Sequence, residues 1–118
     1  MSRKSYPVSG VSQRATWSFL TNHARVLICI ARDPGIRLRE IGDAVGITER
    51  AAHRIVTELA AAGYVSRRRV GRRNHYTIRT DLPVPDLLAR DRRVGELLGI
   101  LTADAGEPEA EQRVLRPA

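Results

Sequence analysis

Two short helical patterns separated by a three-residue corner occupy residues 38–62, and they constrain the fold more than any other feature. In the first pattern, apolar or small residues recur at i, i+3, i+4 and i+7, the spacing of one helix face: Leu38, Ile41, Gly42 and Val45. Gly46 is expected to end this helix, because glycine tolerates the left-handed conformation found there. Ile47 is expected to fill the core at the corner, and Thr48 to cap the next helix.

The second helical pattern covers 49–62 and is followed by Gly63. Its inward-facing residues are Ala51, Ala52, Ile55, Val56 and Leu59. Two strand candidates follow at 64–69 and 75–79, and Gly71–Asn74 is predicted to be their turn, because Gly and Asn tolerate positive φ. Helix, corner, helix and hairpin in this order predict a mainly α fold with a small β-hairpin, the winged helix-turn-helix.

The segments on either side complete the predicted organisation. A helix over 22–32, capped by Asn22 and stopped by the turn Asp33-Pro34-Gly35, is expected before the corner. Trp17 and Phe19 are expected to pack on the core. The predicted units are a flexible arm, a winged helix-turn-helix domain, a C-terminal helix and a disordered tail: 1–15, 16–80, 84–101 and 102–118.

Positive charge is concentrated in the same unit. Between residues 50 and 79 there are eight arginines and one carboxylate, Glu58, and this excess equals the formal net charge of +7 of the whole chain. Lys4 is the only lysine among the twenty basic residues. A localised excess of arginine favours a polyanion as the partner.

The third helix carries polar residues on the face opposite its apolar stripe, at i, i+3, i+4 and i+7: Arg50, His53, Arg54 and Thr57. We interpret this face as a surface for the major groove of double-stranded DNA. Arg50 and Arg54 can each donate two hydrogen bonds to guanine, and His53 and Thr57 can contact bases or phosphates. Thr48 and the free N–H groups at the helix start favour a phosphate. The alternative is the solvated face of an ordinary amphipathic helix.

Arg72, Arg73 and Asn74 complete the predicted DNA-binding set. The two arginines lie at the hairpin tip, where a wing would meet the minor groove or the flanking backbone. The alternative is a charged edge strand that prevents aggregation. The arginines at 67–69 alternate faces, so at least one is expected to point away from the DNA.

Residues 20–80 resemble winged-helix transcriptional regulators of the MarR and ArsR kind. IGDAVGIT is similar to their second helix and corner, ERAAHRIVTELAAAGYV to the recognition helix and wing entry, RRRVGRRNHYTI to the wing, and NHARVLICIA to the first helix on the ArsR side. By position, the resemblance implies DNA contacts by the eight residues named above. It implies a regulator of transcription and leaves its operator, its effector and the sign of regulation open.

The residues indicate little other chemistry. Cys29 is the only cysteine, so it can form neither an intramolecular disulfide nor the paired cysteines of metal-sensing relatives, and its position predicts a core thiol. The three histidines lack metal-ligand spacing, and there is no phosphate-binding loop or nucleophile–base pair. We therefore expect no enzyme, cofactor or metal. Without an apolar run of roughly 18 residues or a signal region, a cytoplasmic protein with no membrane partner is expected.

The predicted last helix, 86–101, has a broad apolar face: Leu87, Leu88, Val94, Leu97, Leu98 and Leu101. This face can fold back on its own domain or pair with a second copy. We favour a homodimer, because a winged helix gains affinity by binding two half-sites. Two other functions stay open, a sequence-tolerant architectural DNA-binding protein and a module that binds a protein partner through this helix.

Overall fold

The computed structural model describes residues 17–103, so the predicted arm (1–15) and nearly all of the predicted tail (102–118) lie outside the described residues. Six elements follow one another in this part of the chain: α1 (Asn22–Arg32), α2 (Leu38–Val45), α3 (Glu49–Ala61), β1 (Val65–Val70), β2 (Arg73–Ile78) and α4 (Val94–Thr102). The two strands form an antiparallel sheet. This order confirms the predicted winged helix-turn-helix with an added C-terminal helix.

Two glycines shape the corner between α2 and α3. Gly46 adopts a φ of +87°, the left-handed conformation expected at a helix end. Gly42 packs against the corner, where a Cβ on this residue would lie 2.7 Å from the carbonyl oxygen of Ile47. The N–H of Ile47 donates to the Gly42 carbonyl at 2.9 Å, and Thr48 Oγ1 accepts from the N–H of Ala51 at 3.0 Å. The predicted helix end and cap are both confirmed.

One hydrophobic core joins all the elements. The largest fully buried side chains come from α1, α2 and α3: Val26, Ile30, Ile41 and Val56. Burial of each such side chain stabilises the fold by about 1.5–3 kcal/mol relative to exposure. Val65 and Tyr76 attach the hairpin to this core, and Val94 and Leu98 attach α4.

The hairpin is tighter than predicted. Val70 pairs with Arg73, so Gly71 and Arg72 alone form the turn. The predicted four-residue turn is wrong, since Arg73 and Asn74 belong to β2. Gly71 has a φ of +64°, and a glycine with positive φ suits a two-residue turn between twisted strands.

Two predictions for the segment before and at the start of α1 are wrong. Thr21, rather than Asn22, caps this helix, because its Oγ1 accepts a backbone N–H of the first turn at 3.1 Å. Trp17 and Phe19 are 64% and 90% exposed, and their rings meet edge to face at a centroid distance of 5.0 Å. The core forms without these two rings, because α1 packs directly against α2, α3, α4 and β2.

The C-terminal helix begins at Val94, later than the predicted start at 86. Backbone hydrogen bonds close the intervening segment into a loop. The N–H of Val84 donates to the Arg92 carbonyl at 2.9 Å, and the N–H of Val94 donates to the Leu82 carbonyl at 2.8 Å. These bonds between distant residues override the helical spacing of the leucines.

The predicted apolar face of the last helix is therefore divided. Val94 and Leu98 are buried in the core of their own domain, as the fold-back alternative requires. Leu87 and Leu88 lie in the loop and are 79% and 96% exposed. The helix thus contributes to its own fold and still leaves apolar side chains on the surface.

Candidate nucleic-acid interface

α3 has one buried and one exposed side, as the sequence predicts. The buried side consists of Ala52, Ile55, Val56 and Leu59. The predicted recognition residues lie on the exposed side: Arg50, His53, Arg54 and Thr57. Among residues 17–103, the ion pairs involve none of these four side chains. Their hydrogen-bond donors are therefore available to a partner.

Glu58, the one carboxylate between residues 50 and 79, is held by α1. Its Oε1 lies 2.6 Å from Nε2 of His23, and both side chains are about half exposed (53% and 48%). This contact joins α1 to α3. It also orients the one acidic group of the basic segment toward another helix.

Thr48 is the N-cap residue of α3. Because its Oγ1 accepts the N–H of Ala51, the hydroxyl oxygen is engaged as the helix cap. The hydroxyl hydrogen can still donate to another group. A phosphate contact by Thr48 stays a prediction.

The register of the hairpin sorts its side chains onto two faces, because paired residues in antiparallel strands share a face. One face carries Arg68, Val70, Arg73 and His75. The other face, which also holds the buried Tyr76, carries Arg67, Arg69 and Asn74. The predicted alternation of the arginines at 67–69 is confirmed, and Arg72 lies in the turn.

An open groove of about 390 Å³ lies between the start of α2 and the hairpin tip. We call it the arginine groove, since its charged lining residues are Arg37, Arg39, Glu49, Arg72 and Arg73. Glu49 is the first residue of α3, so the wing tip lies beside the start of that helix. The groove brings together the predicted wing residues, including Asn74, whereas the other predicted residues lie at the cap and along α3.

The turn before α2 holds the wing in place. The N–H of Tyr76 donates to the carbonyl of Pro34 at 2.9 Å. Gly35 is buried beneath the wing, and a Cβ on this residue would lie 3.6 Å from Nη1 of Arg73 and 3.6 Å from the ring of His75. The Arg73 guanidinium therefore lies over this turn.

Arg37 and Arg39 line the groove, although the sequence did not predict either as a site residue. The available signal was an arginine on each side of Leu38 at the predicted start of a helix. Their proximity to the wing depends on the contact between Pro34 and Tyr76, which no local pattern reveals.

A second cleft, of about 250 Å³, lies between α1, α4 and the loop before α4. Most of its lining is apolar and includes Phe19, Leu59, Leu97, Leu98 and Leu101. We call it the apolar cleft. Ile100 on the same helix is 69% exposed, so α4 adds an apolar side chain to the surface outside the cleft lining.

Cys29 packs against the core, as expected for a structural thiol. Burial raises the pKa of this thiol, and the positive charges of Arg32 and Arg25 partly oppose the shift. Within residues 17–103, no three His, Cys, Asp or Glu side chains are grouped so that they could hold a metal ion. No helix in this part of the chain is both long and apolar enough to cross a membrane.

The fold and the exposed basic surfaces define a winged helix-turn-helix of the kind that binds DNA. The sequence model described as MarR family matches residues 18–73. This segment, just under half of the chain, is therefore similar to the MarR family, and the similarity supports a DNA-binding regulator of transcription. The predicted MarR resemblance is confirmed, and the likeness to the ArsR side stays a prediction.

Among solved structures, a similar one is the crystal structure of a Mycobacterium tuberculosis MarR family protein, Rv2887, in complex with salicylic acid. The two chains are 20% identical, the alignment covers 92% of this chain and 67% of that chain, and the TM-score is 0.46. No curated protein matches the sequence.

Proposed function

We propose that the protein regulates transcription by inserting α3 into the major groove of a specific DNA site, with the wing on the adjacent backbone or minor groove. The observation that carries this proposal is the exposed side of α3 opposite its buried apolar stripe, where Arg50, His53, Arg54 and Thr57 form no ion pair within residues 17–103. A rigid helix with such a side suits major-groove recognition.

The proposed roles follow from the chemistry of each side chain. Arg50 and Arg54 donate paired hydrogen bonds to guanine O6 and N7, the commonest specific contact in the major groove. His53 and Thr57 contact bases or phosphates, and Thr48 donates its hydroxyl hydrogen to a phosphate at the helix start. Arg72, Arg73 and Asn74 form the wing contact.

We also propose that the regulator is a homodimer. The apolar cleft and the exposed Ile100 leave apolar surface around α4, and Phe19 at the rim of the cleft is 90% exposed. Contact with a second copy would remove this surface from water, which is favourable by about 25 cal/mol per Å² of apolar area. Two copies would also place two α3 helices on two half-sites.

Selection of bound fragments from random duplexes, followed by competition at physiological salt, tests the proposed function. A specific regulator is expected to prefer its selected site over random DNA by about 10³-fold or more. A ratio near one would instead favour a sequence-tolerant architectural protein. Failure to bind any duplex at low salt would favour a protein-interaction module.

A further inference from the structure

The loop before α4 presents two leucines to solvent. Leu87 and Leu88 are 79% and 96% exposed, and we call them the leucine knob. Hydrogen bonds close the loop that carries them, since the N–H of Val84 donates to the Arg92 carbonyl at 2.9 Å. Asp86 Oδ1 also accepts the N–H of Leu88 at 2.9 Å. These bonds restrain the knob before any partner binds, which lowers the entropy cost of binding.

The apolar cleft lies directly beside this knob. Pro85 and Asp86 line the cleft, and the knob is the next pair of residues along the chain. An apolar cavity of about 150 Å³ can hold a benzene ring, so the cleft, at about 250 Å³, has room for leucine side chains. Because both leucines are exposed, the knob does not fill the cleft of its own chain.

Charge permits two copies to meet at this surface. Residues 84–102, which form the loop and α4, contain three carboxylates and three arginines, so their formal net charge is zero. Residues 50–79, in contrast, carry a formal net charge of +7. Two copies that met through the basic segment would repel each other, whereas the neutral surface can place arginines of one copy beside carboxylates of the other.

The cleft also lies away from the proposed DNA-binding residues of α3. Leu59 belongs to the buried stripe of this helix and lines the cleft, whereas Arg50 and Arg54 lie on the exposed side. A second copy seated on the cleft would therefore leave the polar side of α3 free for DNA.

We propose that the leucine knob of each copy inserts into the apolar cleft of a second copy, so that two identical contacts close a dimer. A surface that holds both a projection and its receptor is self-complementary, and two copies of it can pair about a two-fold axis. The inference rests on the proposed function and deepens it, because it assigns the dimer contact to the loop at 84–92 as well as to α4.

Sedimentation equilibrium of single variants is the first test. Leu88→Asp removes an apolar side chain from both contacts of the dimer and should raise the dimer dissociation constant by about 100-fold or more. Leu101→Lys places a charge in the cleft lining, near the end of α4, and should have a similar effect. Val70→Asp changes an exposed apolar residue of the wing and should leave the constant unchanged.

Mixing the two dissociated variants tests the reciprocal contact. In a heterodimer of Leu88→Asp and Leu101→Lys, one unaltered knob meets an unaltered cleft, and the introduced carboxylate meets the introduced ammonium group. Each homodimer instead contains two disrupted contacts. The mixture should therefore associate about tenfold or more tightly than either variant alone. Pairing of α4 against α4 alone predicts no such recovery.

Thermal unfolding of each variant shows whether its fold is retained. Leu88 is exposed, so Leu88→Asp should fold, and its dissociation constant decides the proposal even if Leu101→Lys unfolds the chain.

Three outcomes would overturn the inference. A wild-type constant in Leu88→Asp, with Ile100→Asp still dissociated, would assign the dimer contact to α4 alone and leave the proposed function intact. Two folded variants that do not associate on mixing would exclude the reciprocal contact. A wild-type protein that stays monomeric at high concentration would overturn this inference together with the proposed homodimer, and site-specific DNA binding by that monomer would leave the proposed regulator intact.

Discussion

Replacing Gly42 by alanine should destabilise the protein, although glycine-to-alanine changes inside helices are usually favourable. In α2 the change should gain up to about 1 kcal/mol in helix propensity. The new Cβ, however, would lie 2.7 Å from the carbonyl oxygen of Ile47, and 3.3 and 3.4 Å from backbone atoms of Thr48 and Glu49. All three contacts are to backbone, which cannot rotate away as a flexible side chain can.

The expected magnitude follows from these opposing effects. Forcing an extra carbon into a packed site typically costs about 1–3 kcal/mol, and contact with three backbone atoms favours the upper part of that range. After subtraction of the helix-propensity gain, we expect a net loss of about 1–2 kcal/mol for Gly42→Ala. A loss of this size should lower the melting temperature by about 4–8 °C for each kcal/mol.

Gly99→Ala is the matched control, because Gly99 lies inside α4 and a Cβ there would have no neighbour within 4 Å. This variant should raise stability by about 0.5–1 kcal/mol. Chemical denaturation and thermal unfolding of both variants measure the difference. If the Gly42→Ala variant is as stable as the Gly99→Ala variant, the corner is not tightly packed against α2 and the reasoning is refuted.

Three further predictions concern DNA binding, assembly and thiol chemistry. Arg54→Ala should weaken the selected DNA site by about 1–3 kcal/mol and random DNA much less, whereas Arg72→Ala should weaken both alike; quantitative gel shifts compare them. Ile100→Asp should shift sedimentation equilibrium toward monomer, whereas Val70→Asp, another exposed apolar site, should not. Because the pKa of Cys29 is raised, this thiol should be alkylated more slowly at pH 8 in the folded protein than in the urea-unfolded chain. For the same reason, the free energy of unfolding should decrease as the pH rises above the pKa that Cys29 has in the unfolded chain.

Local patterns were sufficient to predict α2, α3 and their corner. The apolar spacing sets the buried faces, Gly46 supplies the left-handed residue, and Thr48 caps α3, so each signal lies within a few residues of the structure that it predicts. The buried side of α3 and the exposure of Arg50 and Arg54 on the other side follow from the same periodicity.

The parts that could not be predicted depend on contacts between distant residues. The leucines after residue 86 have helical spacing, but the bonds from Val84 to Arg92 and from Val94 to Leu82 hold the backbone in a loop. Likewise, Arg37 looks like an ordinary surface residue until the bond between Tyr76 and Pro34 brings the wing beside it.

α2 and the turn before it help to position both proposed DNA-binding parts, although none of the DNA-binding residues predicted from the sequence lies on them. At its C-terminal end, the close approach of Gly42 to Ile47 fixes the corner from which α3 starts. Just before its N-terminal end, Pro34 holds β2 and Gly35 lies beneath Arg73. A shift of α2 together with the turn before it would therefore change the spacing between α3 and the wing. Because a duplex presents its major groove and its phosphates at fixed separations, this spacing should matter for affinity as much as the contacting side chains do.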